Sequence, residues 1–202
     1  MKDCVIIGKP NVGKTLFLVN FAEYVGAAVL QFERSPSGSL YESTYSFERA
    51  RAGLVGPNPH TTTAVAPALL RIRVGKGVRE FHMTDTAGIC EGIHGDPVVR
   101  SGMADSLRRL RGCDIVLHMV DASKATSPGA VEAVGDVDIR IAAFSASRAA
   151  YAILANKMDL PGADAGLLFI RRLFPRESVI PTSALSGRGF REVRAFIVKH
   201  LR

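Results

Sequence analysis

The chain has 202 residues, 47% of them hydrophobic, and its 26 Lys and Arg against 19 Asp and Glu give a formal charge of +7. That length suffices for one well-formed core and falls short of two ordinary domains, so residues 1–202 are expected to form a single globular domain. No apolar run approaches membrane-spanning length and no basic-then-apolar leader precedes the first strand pattern, so the expected location is cytoplasmic. Three cysteines, Cys4, Cys90 and Cys113, argue by number and spacing against a disulfide framework and read as reduced thiols. The basic excess favours acidic partners such as nucleotide, RNA or anionic lipid, without choosing among them.

In chain order, Cys4 to Ile7 is a short apolar run of the kind found in a buried strand, closed by Gly8 and followed by a helical pattern from Lys14 to about Tyr24. Leu70, Ile72 and Val74 alternate with Arg71 and Arg73, and the turn Gly75-Lys76-Gly77 returns the chain into Val78 to Thr84, which predicts an antiparallel hairpin over 68–84. Further buried strands are predicted at Ile115 to Val120, Tyr151 to Ala155 and Ser178 to Pro181, each followed by turn residues and a helical pattern. The last helix, Phe190 to about His200, sets Phe190, Val193, Phe196 and Ile197 on one face for the core. The predicted fold class is α/β, with three layers and a mostly parallel sheet bearing one antiparallel edge strand. Ligands of such sheets bind at the carboxyl ends of the strands.

The loops at those ends carry the chemistry. Gly8 to Thr15, GKPNVGKT, matches G-x-x-x-x-G-K-[ST] in full, between a strand and a helix. Gly8 and Gly13 let backbone N–H groups of the loop, which also holds Pro10, Asn11, Val12 and Leu16, turn inward around phosphate, Lys14 supplies a charge for the β- and γ-phosphates, and the Thr15 hydroxyl suits Mg²⁺. Asp85 to Gly88, DTAG, places a carboxylate at a strand end within reach of Mg²⁺ and, three residues on, a glycine amide able to donate to a γ-phosphate. In NKMD, Asn156 to Asp159, the Asp159 carboxylate can accept from guanine N1–H and the 2-amino group, a pair that adenine does not offer. Asn156 can tie that loop to the phosphate loop, and the stem of Lys157 can lie on the base. In Thr182 to Leu185, TSAL, the Ala184 amide can donate to guanine O6, with Ser183 and Leu185 beside it. Cys90, His94, Cys113 and His118 fit no common zinc spacing and read as core or surface residues.

With these loops in order, the chain resembles the translation-factor-related P-loop GTPases, the G domains. Its phosphate loop is similar to the G-x-P-N-x-G-K-[ST] form of Era and EngA. DTAGICEGIHG and ILANKMDLPGA resemble the corresponding loops of the Obg and developmentally regulated GTP-binding subgroup. The resemblance implies GTP and GDP as ligands, Mg²⁺ as cofactor and a switch that hydrolyses GTP slowly. Its implied partners are a ribosomal subunit or RNA and a protein effector read through the switch regions, with a monomer or nucleotide-dependent dimer as the oligomeric state. A P-x-x-T signature falls on Pro59 to Thr62 and implies Thr62 as a second Mg²⁺ ligand, with Thr61 and Thr63 as rivals. Unlike Obg, Era and EngA, the chain is expected to carry no appended targeting domain. This leaves open the alternative of a GTP-dependent regulator of a protein or membrane-associated complex without RNA contact.

Two further expectations concern the loops that move. The interval of about 25–60 is long for a compact domain and reads either as an extended switch I ordered by nucleotide or as a partner-binding element. On the second reading, deletion of Ser35 to Arg51 would spare nucleotide affinity. After Gly88 stands Ile89, which has no group to orient a water, as in relatives whose phosphate-loop asparagine helps hold K⁺. Asn11 is the corresponding K⁺ candidate, and the catalytic set is Asn11, Lys14, Thr62 and Gly88, with Arg100 as a rival source of positive charge.

Overall fold

The computed structural model describes residues 1–27, 30–34, 41–54, 66–92, 94–125, 134–147 and 149–201. Eight strands form one sheet in the order β3-β2-β4-β5-β1-β6-β7-β8. They are β1 Lys2–Ile7, β2 Leu30–Arg34, β3 Tyr41–Tyr45, β4 Ala66–Val74, β5 Gly77–Asp85, β6 Ile115–Asp121, β7 Ala150–Asn156 and β8 Ser178–Pro181. The helices are α1 Lys14–Tyr24, α2 Phe47–Leu54, α3 Pro97–Gly112, α4 Asp136–Ala146, α5 Ala163–Leu173 and α6 Phe190–His200. From β5 through β8 every pairing is parallel. Of these, β6 and β7 read as nearly unbroken apolar runs because both of their faces are covered.

The residues of each strand divide by parity between two cores. Cys4, Ile6, Leu117, Met119, Ala152 and Leu154 face α1 and α6, while Val5, Ile7, Val116, Val120, Ile153 and Ala155 face α4 and α5. Between α1 and α6 the rings of Phe17 and Phe21 stack at 5.3 Å, and Phe190 meets Phe17 edge-on at 5.2 Å. Edge-to-face contact of this kind adds to the area that the rings bury. The three-layer architecture is the one expected.

The antiparallel hairpin is also where the alternation placed it, with Arg71 opposite Glu80 and Val74 opposite Gly77. Its strand β4 is not the edge of the sheet, however, because β2 pairs with it through Phe32 and Ala68, and β3 pairs with β2 from Leu30↔Tyr45 to Arg34↔Tyr41. Two strands and a helix therefore occupy the interval read from sequence as one long switch segment. Local composition masked them: Ser, Gly and Pro dominate the windows between short runs that become strands only once β4 offers an edge. Helix α2 is joined to the main core by Ala50, which is fully buried.

Candidate functional site

Strand β1 ends at Ile7, and the chain turns through Gly8 to Gly13 into α1 at the carboxyl edge of the parallel strands. Gly13, the residue before the helix, has φ 100, and a Cβ there would lie 2.6 Å from Asn156 Nδ2. Only glycine fits both the left-handed backbone and that approach. Asn11 takes φ 59 and stands exposed at the rim, where asparagine tolerates that conformation. Pro10 is half-buried, Val12 is buried, and Leu16 packs against the main core.

Lys14 lies buried beneath the loop, its ammonium donating to the carbonyls of Gly8 at 3.2 Å and Lys9 at 2.8 Å. Burial lowers its pKa to about 8, with Asp85 pulling in the opposite direction. The cation is thus held among carbonyls that a polyphosphate would outcompete. Thr15 Oγ1 donates to Asp85 Oδ2 at 2.5 Å, which brings together the hydroxyl and carboxylate predicted to share Mg²⁺. Two hard oxygen donors at a helix N-terminus beside a phosphate loop fit that ion.

The sensor loop leaves β5 at Asp85. Thr86 Oγ1 donates to the Ile6 carbonyl at 2.8 Å, and Ser106 Oγ donates to the Ala87 carbonyl at 3.1 Å, so the loop is fixed to β1 and α3. Gly88 lies against Pro10, where a Cβ would come within 2.7 Å of the proline nitrogen. Ile89, which raised the question of the attacking water, turns its side chain into the core on the α4 and α5 side, leaving 5% exposed. That position packs the loop down. Arg100, weighed as a source of positive charge, donates to the carbonyls of His94 and Gly95 in its own loop. Thr61, Thr62 and Thr63 lie outside the described residues.

Asn156, at the end of β7, does what its position suggested: its Nδ2 donates to the Val12 carbonyl at 2.7 Å, tying the base loop to the phosphate loop. Its Oδ1 accepts from the Ala184 amide at 2.9 Å. That amide, expected to face guanine O6, is directed at Asn156, so O6 would have to share its proton. Asp159 is exposed and steadied by Ser183 Oγ, which donates to its Oδ1 at 2.5 Å. Ser183 is buried, and it orients the carboxylate from beneath. Leu185 stands 70% exposed at the tip of its loop.

Several contributors escaped the motif reading. Lys157 has φ 67 and its ammonium pairs with Asp121 Oδ2 at 2.7 Å, so the last residue of β6 holds the stem that was expected to cover the base. An acidic residue at the carboxyl end of a central strand was the available signal. Asn20 on α1 donates to the Ala184 carbonyl at 2.7 Å and accepts from Arg51 Nε at 2.8 Å, while Arg51 also pairs with Glu23. Helix α2 is thereby linked through α1 to the base loop. Removing Ser35 to Arg51 would take away this link, strand β3 and buried Ala50, so the deletion is not a neutral probe of nucleotide affinity. The point substitution is better: Arg51→Ala is expected to speed GDP release about threefold, as one charge-assisted hydrogen bond is lost, measured with a fluorescent nucleotide in stopped flow.

Residues 44–157 match the 50S ribosome-binding GTPase family. The chain belongs to that family. The GTPase Obg of Akkermansia muciniphila is 31% identical over 194 residues, covering 95% of this chain and 46% of its own length. The tRNA modification GTPase MnmE of Roseiflexus sp. is 29% identical over 203 residues, covering 97% of this chain and 35% of its own length. The chain therefore spans about half or less of the curated relatives that it matches. Among solved structures, Era of Aquifex aeolicus bound to GDP and AlF4⁻ aligns with 100% of this chain and 58% of its own, with a TM-score of 0.70 at 24% identity. The G domain of T. maritima FeoB aligns with 100% of this chain and 99% of its own, with a TM-score of 0.59 at 16% identity. These two likenesses establish the G-domain fold. Obg and Era were the families that the motifs resembled, and MnmE joins them. Among the described residues no helix is long and apolar enough to cross a membrane.

Proposed function

We propose that this member of the 50S ribosome-binding GTPase family hydrolyses GTP to GDP and phosphate as a slow molecular switch in ribosome assembly or translation. The observation that carries the nucleotide part is the pair of hydrogen bonds of Asn156, donated to the Val12 carbonyl in the phosphate loop and accepted from the Ala184 amide in the last loop, which joins three loops far apart in sequence. The ribosomal part rests on the family match and on the net charge of +7.

In this reading the amides from Asn11 to Leu16 and the Lys14 ammonium hold the phosphates, and the Gly88 amide senses the γ-phosphate. Thr15, Asp85 and Thr62 would hold Mg²⁺, which when bound neutralises phosphate charge. Asp159, oriented by Ser183, selects guanine, and Lys157, fixed by Asp121, borders the base. With Ile89 buried, no side chain at that position orients the water, and slow turnover follows.

Asn11, exposed at the rim of the phosphate loop, is the proposed K⁺ ligand. Turnover is expected to be about tenfold faster in KCl than in NaCl at equal ionic strength, because a fixed cation stabilises the charge that develops on the phosphate oxygens. Equal rates would remove the K⁺ role while leaving the rest intact.

The ribosomal role is tested by sedimentation with 50S subunits. Association in a non-hydrolysable GTP analogue, absent in GDP and weakening as salt rises, is the expected result. Equal sedimentation in both nucleotides, or none, would overturn it and leave the regulator of a protein or membrane-associated complex as the reading to pursue.

A further inference from the structure

Outside the motifs, a line of polar side chains runs from the interior of the α4 and α5 side to the rim of the phosphate loop. His118, in the middle of β6 and fully buried, meets the Tyr151 hydroxyl of β7 at 2.7 Å through Nδ1 and Asp138 Oδ1 of α4 at 2.9 Å through Nε2. Asp138 is 1% exposed, and its Oδ2 accepts from the Gly135 amide at 2.9 Å and faces Lys9 Nζ at 3.5 Å. Burial pushes the Asp138 carboxyl up, but the His118 hydrogen bond and charge, the Gly135 amide and Lys9 hold it below the usual range. An ionised carboxylate fixed on three sides gives Lys9, at the second position of the phosphate loop, a permanent counter-charge. The other side of Lys9 meets Glu91 Oε1 at 3.3 Å, and Glu91 belongs to the sensor loop, three residues after Gly88.

We propose that Lys9, anchored by Asp138, latches the sensor loop onto the phosphate loop through Glu91 and thereby sets the preference of the site for GTP over GDP. Glu91, Lys9 and Asp138 act as positioning residues, and the inference rests on Gly88 being the γ-phosphate sensor. Three successive contacts press this loop onto the phosphate loop: Gly88 on Pro10, the Ile89 amide on the Gly8 carbonyl at 3.2 Å, and Glu91 on Lys9. The first two involve residues that Glu91→Gln, Gly135→Ala and Lys9→Arg leave in place. The third is a side-chain pair that costs ordering of the loop before nucleotide arrives, so that less ordering is left for the γ-phosphate to impose. GDP makes no demand on Gly88, and its affinity is indifferent to the latch.

Gly135 supplies a probe that leaves every charge in place. It has φ −125 and ψ −169, a backbone open to alanine, and a Cβ there would fall 1.8 Å from Glu91 Oε1. Glu91 is 42% exposed and can swing into solvent, so Gly135→Ala evicts it from Lys9.

Affinities for GDP and for a non-hydrolysable GTP analogue, measured in wild type, Glu91→Gln, Gly135→Ala and Lys9→Arg, test the latch. Glu91→Gln and Gly135→Ala are expected to weaken the analogue about fivefold and to leave GDP unchanged, the scale of one partly screened ion pair. Lys9→Arg, which keeps a cation against both carboxylates, is expected to retain the wild-type ratio. If Glu91→Gln keeps that ratio, or weakens both nucleotides equally, the latch is overturned, whether or not Gly135→Ala folds. Gly88→Ala separates the two levels: a wild-type ratio in that variant would defeat the sensor assignment itself, whereas a lowered ratio there with none in Glu91→Gln defeats the latch alone.

Discussion

Asp159→Asn is expected to lower GTP affinity about 100-fold and to raise affinity for xanthosine triphosphate by a comparable factor, the scale of two charge-assisted hydrogen bonds exchanged for a mismatch. The carboxylate can accept from guanine N1–H and from the 2-amino group at once, even with Ser183 Oγ already on its Oδ1, because each oxygen carries a second lone pair. Asparagine keeps one acceptor and turns a donor toward the 2-amino group, where two donors meet. Xanthine has a carbonyl at that place, and the asparagine amide then finds an acceptor. Competition against a fluorescent guanine nucleotide reads both changes. Unchanged GTP affinity would mean that Asp159 does not touch the base.

Lys14→Met is expected to divide the two roles of a buried cation. Nucleotide affinity should fall about 1000-fold, since an ammonium bonded to phosphate oxygens in a water-poor site contributes far more than a surface pair. The nucleotide-free protein should at the same time become more stable, by about 3 kcal/mol at most, because an apolar side chain replaces a desolvated charge. The direction with pH follows from the depressed pKa of about 8. In the unfolded chain Lys14 titrates at the ordinary value of 10.5, so the fold carries its full penalty below about pH 8 and loses it as pH rises toward 10.5. The difference in melting temperature between Lys14→Met and wild type should accordingly be largest at pH 7 and shrink by pH 10. Calorimetry without nucleotide measures it, and a destabilised variant at pH 7 would show that the bonds to the Gly8 and Lys9 carbonyls outweigh the desolvation.

The same molecule shows how far a local pattern reaches. The limits of α1 and α6 follow from apolar periodicity and from the glycines before them, and those of β8 from a short apolar run; the structure places them at Lys14–Tyr24, Phe190–His200 and Ser178–Pro181, as expected. The hairpin of β4 and β5 is equally local, because alternation and a Gly-Lys-Gly turn lie within one short stretch. Strands β2 and β3 are different in kind. Neither run states its partner, and pairing onto β4 depends on an edge that the rest of the sheet must first provide.

By itself the sequence carried the proposed reading of the phosphate, sensor and base loops, because each motif is contiguous and sits at the end of a strand that local pattern marks. Only the tertiary structure decided how those loops are held. Ser183 beneath Asp159, Asp121 on Lys157, Arg51 through Asn20 to Ala184, and the run from His118 to Asp138, Lys9 and Glu91 all join residues distant along the chain. A hydrogen bond or ion pair depends on distance and direction in space, and residue order alone carries neither.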